Sequence, residues 1–345
     1  MIPKFLRKYK DRPFFIAEMS ANHSGKIENA LKIIDGAVKA NASAIKFQTY
    51  RPESMTLNTK NSGFIIKEKT SLWKNKSLFD LFKIGQTPYK WNKILFNYAK
   101  KKKILAFSSV FDEEGVDLLE SLNNPIYKIS SFENNHFPLL KKVVKTKKPI
   151  IISLGLTNLK KIYEIVEFIK INGCKEFVLL KCTSVYPAQN SQLNLKTIQD
   201  LKKRFKCPVG FSDHTRDISA AIAASALGAD VIEKHFIHSS ISSSLDKKFS
   251  INEKDFKKMV EFSNLAKLSA GKINYDLTKL EKSRLIKKRS IHSSQDIKKG
   301  TIFNKNNIKV VRPGYGLEPK FYEDILGKKA KKNIKFAKPI TKNHF

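Results

Sequence analysis

The chain has 345 residues, 41% of them hydrophobic, enough for one large and one small domain with an ample core. Its three cysteines (Cys174, Cys182, Cys207) include no C-x-x-C pair, which argues against a disulfide framework or zinc knuckle and for a reducing, cytoplasmic setting. The net charge of +35 invites a nucleic-acid reading, but the lysines are spread along every helix, no nucleic-acid motif is visible, and no apolar run approaches a membrane span.

In chain order, the basic amino terminus runs without a signal-peptide core into a first apolar run, Phe14–Ala17. Strand-length runs recur at Ala44–Phe47, Ile104–Phe107, Ile126–Ile129, Ile150–Ile152, Phe177–Leu180, Pro208–Phe211 and Val231–Ile232, making eight. Helical spacing fills most gaps, as at Ile27–Ala40, Trp91–Lys101, Val116–Leu122, Leu159–Ile171 and Ile218–Leu227. Asn41, Gly173 and Gly228 stand as stop signals before the next strand. Short apolar strands alternating with helices predict a parallel sheet covered on both faces, and eight of them in about 235 residues predict a closed (β/α)8 TIM barrel. An open doubly wound sheet is the rival, but no G-x-G-x-x-G turn follows the first strand.

The stretch 51–90 is too long for a simple connection and, with its border, carries exposed-looking aromatics (Phe64, Trp73, Phe79, Phe82, Tyr89, Trp91), so a functional loop is expected there. The barrel is assigned to residues 1–271, a charged linker to 272–289, and a small domain of short strands to 290–345. Runs such as Lys100–Lys103 sit at helix ends, where cations complement the dipole, and the overall field favours anionic substrates.

Two phrases carry the most chemistry: Phe211-Ser212-Asp213-His214-Thr215 and Val231-Ile232-Glu233-Lys234-His235-Phe236. A helix and a glycine stop between them put His214 and His235 at the carboxyl ends of neighbouring strands, where such barrels hold their active sites. With Asp213 and Glu233 beside them, the imidazoles form a half-shell for a divalent metal. Lys46, Lys128 and Lys181 lie within apolar strands, a costly place unless they meet an anion. Strand-end hydroxyls join them (Ser109, Ser131, Ser153, Ser184), describing a phosphate and carboxylate pocket beside a Lewis acid. Phosphoenolpyruvate adding to an aldehyde fits that set, with Glu18 or Glu233 handling protons.

The phrases Phe15-Ile16-Ala17-Glu18-Met19-Ser20-Ala21-Asn22-His23, Lys46-Phe47-Gln48-Thr49-Tyr50, Lys128-Ile129-Ser130-Ser131-Phe132-Glu133, Leu179–Ala188 and Arg312-Pro313-Gly314-Tyr315-Gly316-Leu317 complete a pattern. Together with the histidine phrases, it resembles the sialic acid synthase family over about residues 10–343. That resemblance implies a barrel followed by an antifreeze-like (SAF) domain, in a domain-swapped homodimer. It implies condensation of phosphoenolpyruvate with an open-chain amino sugar. The likeness is strongest to the branch whose acceptor is a 2,4-diacetamido-2,4,6-trideoxy altrose; a mannose-type amino sugar is the alternative. By the same resemblance His214 and His235 hold Mn2+ or Mg2+. Lys46 and Lys128 neutralise phosphoenolpyruvate, with Ser109, Ser131, Ser153, Ser184 and Ser212 around it. Glu18, Gln48, Glu133, Tyr186 and Asp246 match acceptor-side or proton-handling positions, and Arg312 reaches an acetamido group from the small domain.

Each role has a plainer counterpart: core histidines, salt-bridged lysines, helix-capping serines, a surface arginine. His23 and His136 are read as structural, and Cys182 as a small packed residue. Two departures from the family stand out. Ser239–Asp246 lacks the usual glycine and proline, which weakens the assignment of Asp246, and Asn134-Asn135-His136 alters a loop near the acceptor.

Overall fold

The computed structural model describes residues 2–67 and 72–345, in two compact units, 1–271 and 272–345. In the first, eight parallel strands close a barrel in sequence order: β1 (Phe14–Glu18), β2 (Ala44–Thr49), β3 (Leu105–Val110), β4 (Tyr127–Ile129), β5 (Ile150–Ser153), β6 (Phe177–Cys182), β7 (Val209–Asp213) and β8 (Val231–His235). The open-sheet alternative is thereby excluded. Most strands run past their apolar stretch and take in polar residues, because ladder hydrogen bonds continue: Glu18 is in register with Lys46, Gln48 with Ser109, and Ser212 with Glu233.

Helices α1 (Ile27–Lys39), α2 (Pro52–Met55), α3 (Leu78–Gly85), α4 (Tyr89–Lys101), α5 (Glu113–Ser121), α6 (Phe137–Lys145), α7 (Leu159–Ile171), α8 (Thr197–Phe205), α9 (Ser219–Ala226) and α10 (Glu253–Ala270) follow the strands. Their starts obey side-chain capping. Asp112 accepts from Gly115 N, so α5 begins three residues before its first apolar position, and Asn158 and Asn252 cap α7 and α10 likewise. The expected stops at Asn41, Gly173 and Gly228 all adopt positive φ (59°, 97° and 90°). Among the described residues, no helix is long and apolar enough to cross a membrane.

Two apolar layers result from the two-residue alternation of the strands. Outward residues such as Phe15, Ile45, Ile152, Phe211 and Ile232 pack on the helices. Inward ones such as Ile16, Phe107, Ile151, Leu180 and Val231 fill the lower barrel, and Phe5 and Tyr9 cap it, 5.1 and 5.0 Å from the Phe14 ring. Each such buried Ile, Leu or Phe contributes about 1.5–3 kcal/mol relative to exposure. At Gly210, on the inward face of β7, a Cβ would stand 2.7 Å from Leu180 Cδ2 and Val231 Cβ, so only glycine fits there.

The 51–90 stretch differs from its expectation. Phe64, Trp73, Phe79, Phe82, Tyr89 and Trp91 are half-buried rather than exposed, since α2 and α3 give the segment its own packing; residues 68–71 lie outside the described residues. The second unit carries α11 (Lys279–Ser283) and an antiparallel pair, β9 (Ser290–Ser293) and β10 (Ile308–Val311). It has a core of its own, including Ile291, Phe303, Ile308, Ile325 and Ile340.

Candidate active site

The inward alternation that is apolar low in the barrel turns polar at its carboxyl end. Ile16 is followed by Glu18, Ala44 by Lys46 and Gln48, Phe107 by Ser109, Ile151 by Ser153, and Val231 by Glu233 and His235. Each functional side chain is thus aimed by a strand whose lower half is locked in the core.

At the centre stand two lysines and two glutamates, all nearly closed to solvent. Lys46 Nζ lies 2.5 Å from Glu18 Oε2, donates to Ser109 Oγ at 2.8 Å, and stands 3.7 Å from Glu233 Oε2. Lys128 Nζ donates to Ser153 Oγ at 2.7 Å and stands 3.7 Å from Glu233 Oε1, which also accepts from Ser212 Oγ at 3.1 Å. Burial raises the Glu18 carboxyl, with Lys46 opposing and Glu233 adding to the effect. Burial acts on Glu233 in the same sense, but Lys128 and Lys46 outweigh it and hold that carboxyl low. The same forces split the lysines. Burial lowers Lys128, while Lys46, equally buried, is held up by Glu18 and Glu233.

His214 and His235 lie side by side with ring centroids 5.4 Å apart. His214 Nδ1 is 3.0 Å from the Thr183 carbonyl, a bond that makes it the protonated nitrogen and leaves Nε2 as a lone pair. Among the described residues His235 Nδ1 is buried without a hydrogen-bond partner, and burial keeps that ring well below its ordinary pKa. A neutral imidazole and an orphaned ring nitrogen fit a divalent cation. The expected carboxylate neighbours do not complete its shell. Asp213 turns outward to pair with Lys234, Glu233 lies between the two lysines, and among the described residues no group of three or more His, Cys, Asp or Glu is placed to hold a metal. Any further ligands would be substrate or water. Cys182 Sγ lies 3.9 Å from His214 Nδ1; burial disfavours both charged forms, yet each favours the other, bringing the thiol to about 6 and raising the imidazole.

On the acceptor side, Gln48 Nε2 donates to Glu18 Oε1 (2.8 Å) and Ser20 Oγ (3.0 Å). Asp246, weakly assigned in the sequence, is buried at the site. It accepts from Ser20 Oγ at 2.5 Å and stands 3.8 Å from His235, so its altered loop still delivers it. Tyr186 lies with its ring 4.3 Å from His214 and 5.2 Å from Phe249, and burial raises its hydroxyl well above the usual value. Glu133 is half-buried against the Ser130 hydroxyl, and burial raises it too. Ser131 Oγ accepts from Gly155 N at 3.0 Å, close to Ser184. A groove of about 720 Å³ lined by Tyr186, Thr215 and Arg216 opens beside this wall. A separate cavity of about 450 Å³ at the amino-terminal end of the barrel, near Leu6 and Cys207, holds none of these groups.

Arg312 is exposed on the second unit. Lys181 stays on its own strand end, donating to the Cys182 carbonyl at 3.0 Å. Sequence reasoning missed Ser20, Phe249 and the buried Asn134. The Asn134 amide donates to the Ser153 (3.2 Å) and Gly155 (3.0 Å) carbonyls and ties two strand ends together. Its place in the Asn-Asn-His departure was the available signal.

Residues 33–275 match the NeuB family and residues 288–345 the SAF domain. The pseudaminic acid synthase of Campylobacter jejuni subsp. jejuni serotype O:2 is 43% identical over 332 residues, 96% of each chain. The N,N'-diacetyllegionaminic acid synthase of the same organism is 37% identical over 328 residues, 94% of this chain and 97% of that one. Among solved structures, the N-acetylneuraminic acid synthetase of Leptospira borgpetersenii aligns with a TM-score of 0.71 at 29% identity, covering 80% of this chain and 91% of its own. With the barrel, the lysine bracket and the paired histidines already in place, these matches decide the kinship: the chain belongs to the NeuB family and ends in a SAF domain.

Proposed function

We propose that the chain is a pseudaminic acid synthase, condensing phosphoenolpyruvate with 2,4-diacetamido-2,4,6-trideoxy-β-L-altrose to give pseudaminic acid and phosphate. The observation that carries the chemistry is the buried bracket of Lys46 and Lys128, each backed by a serine hydroxyl, beside His214 and His235. The acceptor is chosen by likeness, 43% to a pseudaminic acid synthase against 37% to a legionaminic acid synthase.

Lys46 and Lys128 neutralise the phosphate and carboxylate of phosphoenolpyruvate, and Ser109, Ser131, Ser153, Ser184 and Ser212 supply hydroxyls around them. His214 and His235 would hold Mn2+ or Mg2+, which when bound supplies a Lewis acid for the aldehyde oxygen. C3 of phosphoenolpyruvate bonds to the aldehyde carbon, water adds at C2, and C–O cleavage releases phosphate. Glu18, whose carboxyl burial raises, is suited to give a proton to the new hydroxyl. Glu233, between two cations, is placed to take one from the water. Gln48, Glu133, Tyr186 and Asp246 face the sugar.

The partner is a second copy of this chain, in the cytoplasm. Ile273, Tyr275 and Leu280 are 89%, 96% and 76% exposed in a single copy, apolar surface that a dimer would cover. Arg312 is then the arginine that reaches an acetamido group. Sedimentation as a monomer would remove this part of the reading.

Phosphate release tests the whole. Purified protein with phosphoenolpyruvate and Mn2+ is offered the diacetamido altrose, N-acetylmannosamine and the diacetamido mannose-type sugar separately. Release with the altrose sugar alone, lost on chelation and in His214→Ala, is expected. Release only with a mannose-type sugar overturns the acceptor, and release with none overturns the enzyme.

A further inference from the structure

Asp213 and Lys234 face away from the substrate. Alternation turns Ser212 and Glu233 into the barrel and Asp213 and Lys234 outward, into the apolar layer that Phe211 and Ile232 share with the helices. Both side chains are 0% exposed, and Lys234 Nζ lies 2.8 Å from Asp213 Oδ2.

A buried pair of this kind stabilises little, because desolvation offsets most of the attraction, and two apolar side chains of similar volume would fill the layer as well. The pair does something that apolar side chains cannot. Lys234 Nζ also donates to the Thr215 carbonyl at 2.9 Å and to Thr215 Oγ1 at 3.2 Å, and Asp213 Oδ1 accepts from Thr215 N at 2.9 Å. All three ammonium protons are therefore directed at residues 213 and 215, the two that flank His214. Lys234 itself is bonded to His235 through one peptide link. The two histidines are thus tied together from behind by a single fully satisfied cation.

We propose that Asp213, Lys234 and Thr215 are positioning residues that fix His214 relative to His235, and so set the affinity of the histidine pair for a divalent cation. This rests on the metal role proposed above. Residues that orient metal ligands typically alter metal affinity by about 10- to 100-fold when replaced.

The experiment titrates Mn2+ into metal-stripped, full-length protein and follows the free-ion paramagnetic resonance signal, with the melting temperature measured alongside. The variants are Lys234→Met, the apolar pair Asp213→Leu/Lys234→Met, and the milder Thr215→Val. A Kd for Mn2+ raised about 10-fold or more in the apolar pair, at a melting temperature that keeps it folded under the titration conditions, is the expected result. Thr215→Val, which loses only the hydroxyl's bonds from Lys234 Nζ and to the Asp217 carbonyl, should weaken Mn2+ by a smaller factor and gives the answer if the others fail to fold. Parental Mn2+ affinity in the folded variants overturns the proposal. Failure of the parent protein itself to bind Mn2+ overturns the metal reading, a result visible before any variant is made.

Discussion

Lys46 Nζ and Glu18 Oε2 stand 2.5 Å apart with their side chains 4% and 2% exposed, so each is the other's main source of charge compensation. Removing one partner of a buried pair costs about 3–5 kcal/mol, most of it the penalty on the group left behind. Lys46→Met should therefore lower the melting temperature and abolish phosphate release together. Lys46→Met/Glu18→Gln should recover much of the stability, because neither side chain then carries charge, and none of the activity. Recovery of both would mean that Lys46 does not meet phosphoenolpyruvate.

His23 offers a pH dependence away from the catalytic groups. Its ring is fully buried, accepts from Gly25 N at 3.1 Å, sits 3.3 Å from Thr87 Oγ1, and is lowered by burial to about 4 from 6.5. The folded state prefers the neutral ring. Its contribution is complete above pH 6.5 and is lost as pH falls through about 4, to a limit of about 3 kcal/mol. Urea midpoints measured from pH 7 to 4 should fall along that course, and His23→Gln should remove this part of the slope. An unchanged slope in the variant would place the acid sensitivity elsewhere.

The barrel was legible because its evidence is local. Alternating strand and helix periods and the stops at Asn41, Gly173 and Gly228 depend on neighbouring residues only, and even the positive φ values follow from residue type. The inward polar column was partly legible, since Lys46 and Lys128 are anomalous within apolar strands. The direction of Asp213 was not. Its phrase reads as a metal neighbour, and only the pairing of β7 with β8 turns it toward Lys234. Asp246 was harder still, because 226 residues separate it from its anchor Ser20 and its own loop departs from the family pattern.

Gly210 is a steric prediction. A Cβ there would meet Leu180 Cδ2 and Val231 Cβ at 2.7 Å, and the backbone oxygen of Val231 closer still. Leu180 and Val231 are fully buried, and backbone oxygen cannot rotate away. Gly210→Ala should cost at least the roughly 1–3 kcal/mol of an overpacked core, measured as a lower urea midpoint. A parental midpoint would show that β7 shifts freely against β8.

Ser20 joins two acceptor-side groups, since its hydroxyl donates to Asp246 at 2.5 Å and accepts from Gln48 Nε2 at 3.0 Å. Its φ of 45° lies in the left-handed region, where alanine is strained and glycine is not. Ser20→Gly therefore deletes the hydroxyl without distorting the turn. Among the described residues, Asp246 then keeps the Ala21 N–H at 3.3 Å as its side-chain hydrogen bond, and a charge-assisted bond worth about 1.5–3 kcal/mol is lost. The sugar kcat/KM should fall by about 10-fold or more, while the KM for phosphoenolpyruvate stays within about twofold because Lys46 and Lys128 are untouched. Steady-state kinetics with each substrate varied in turn separates the two. An equal rise in both KM values would show that Ser20 supports the whole barrel mouth and not the sugar side alone.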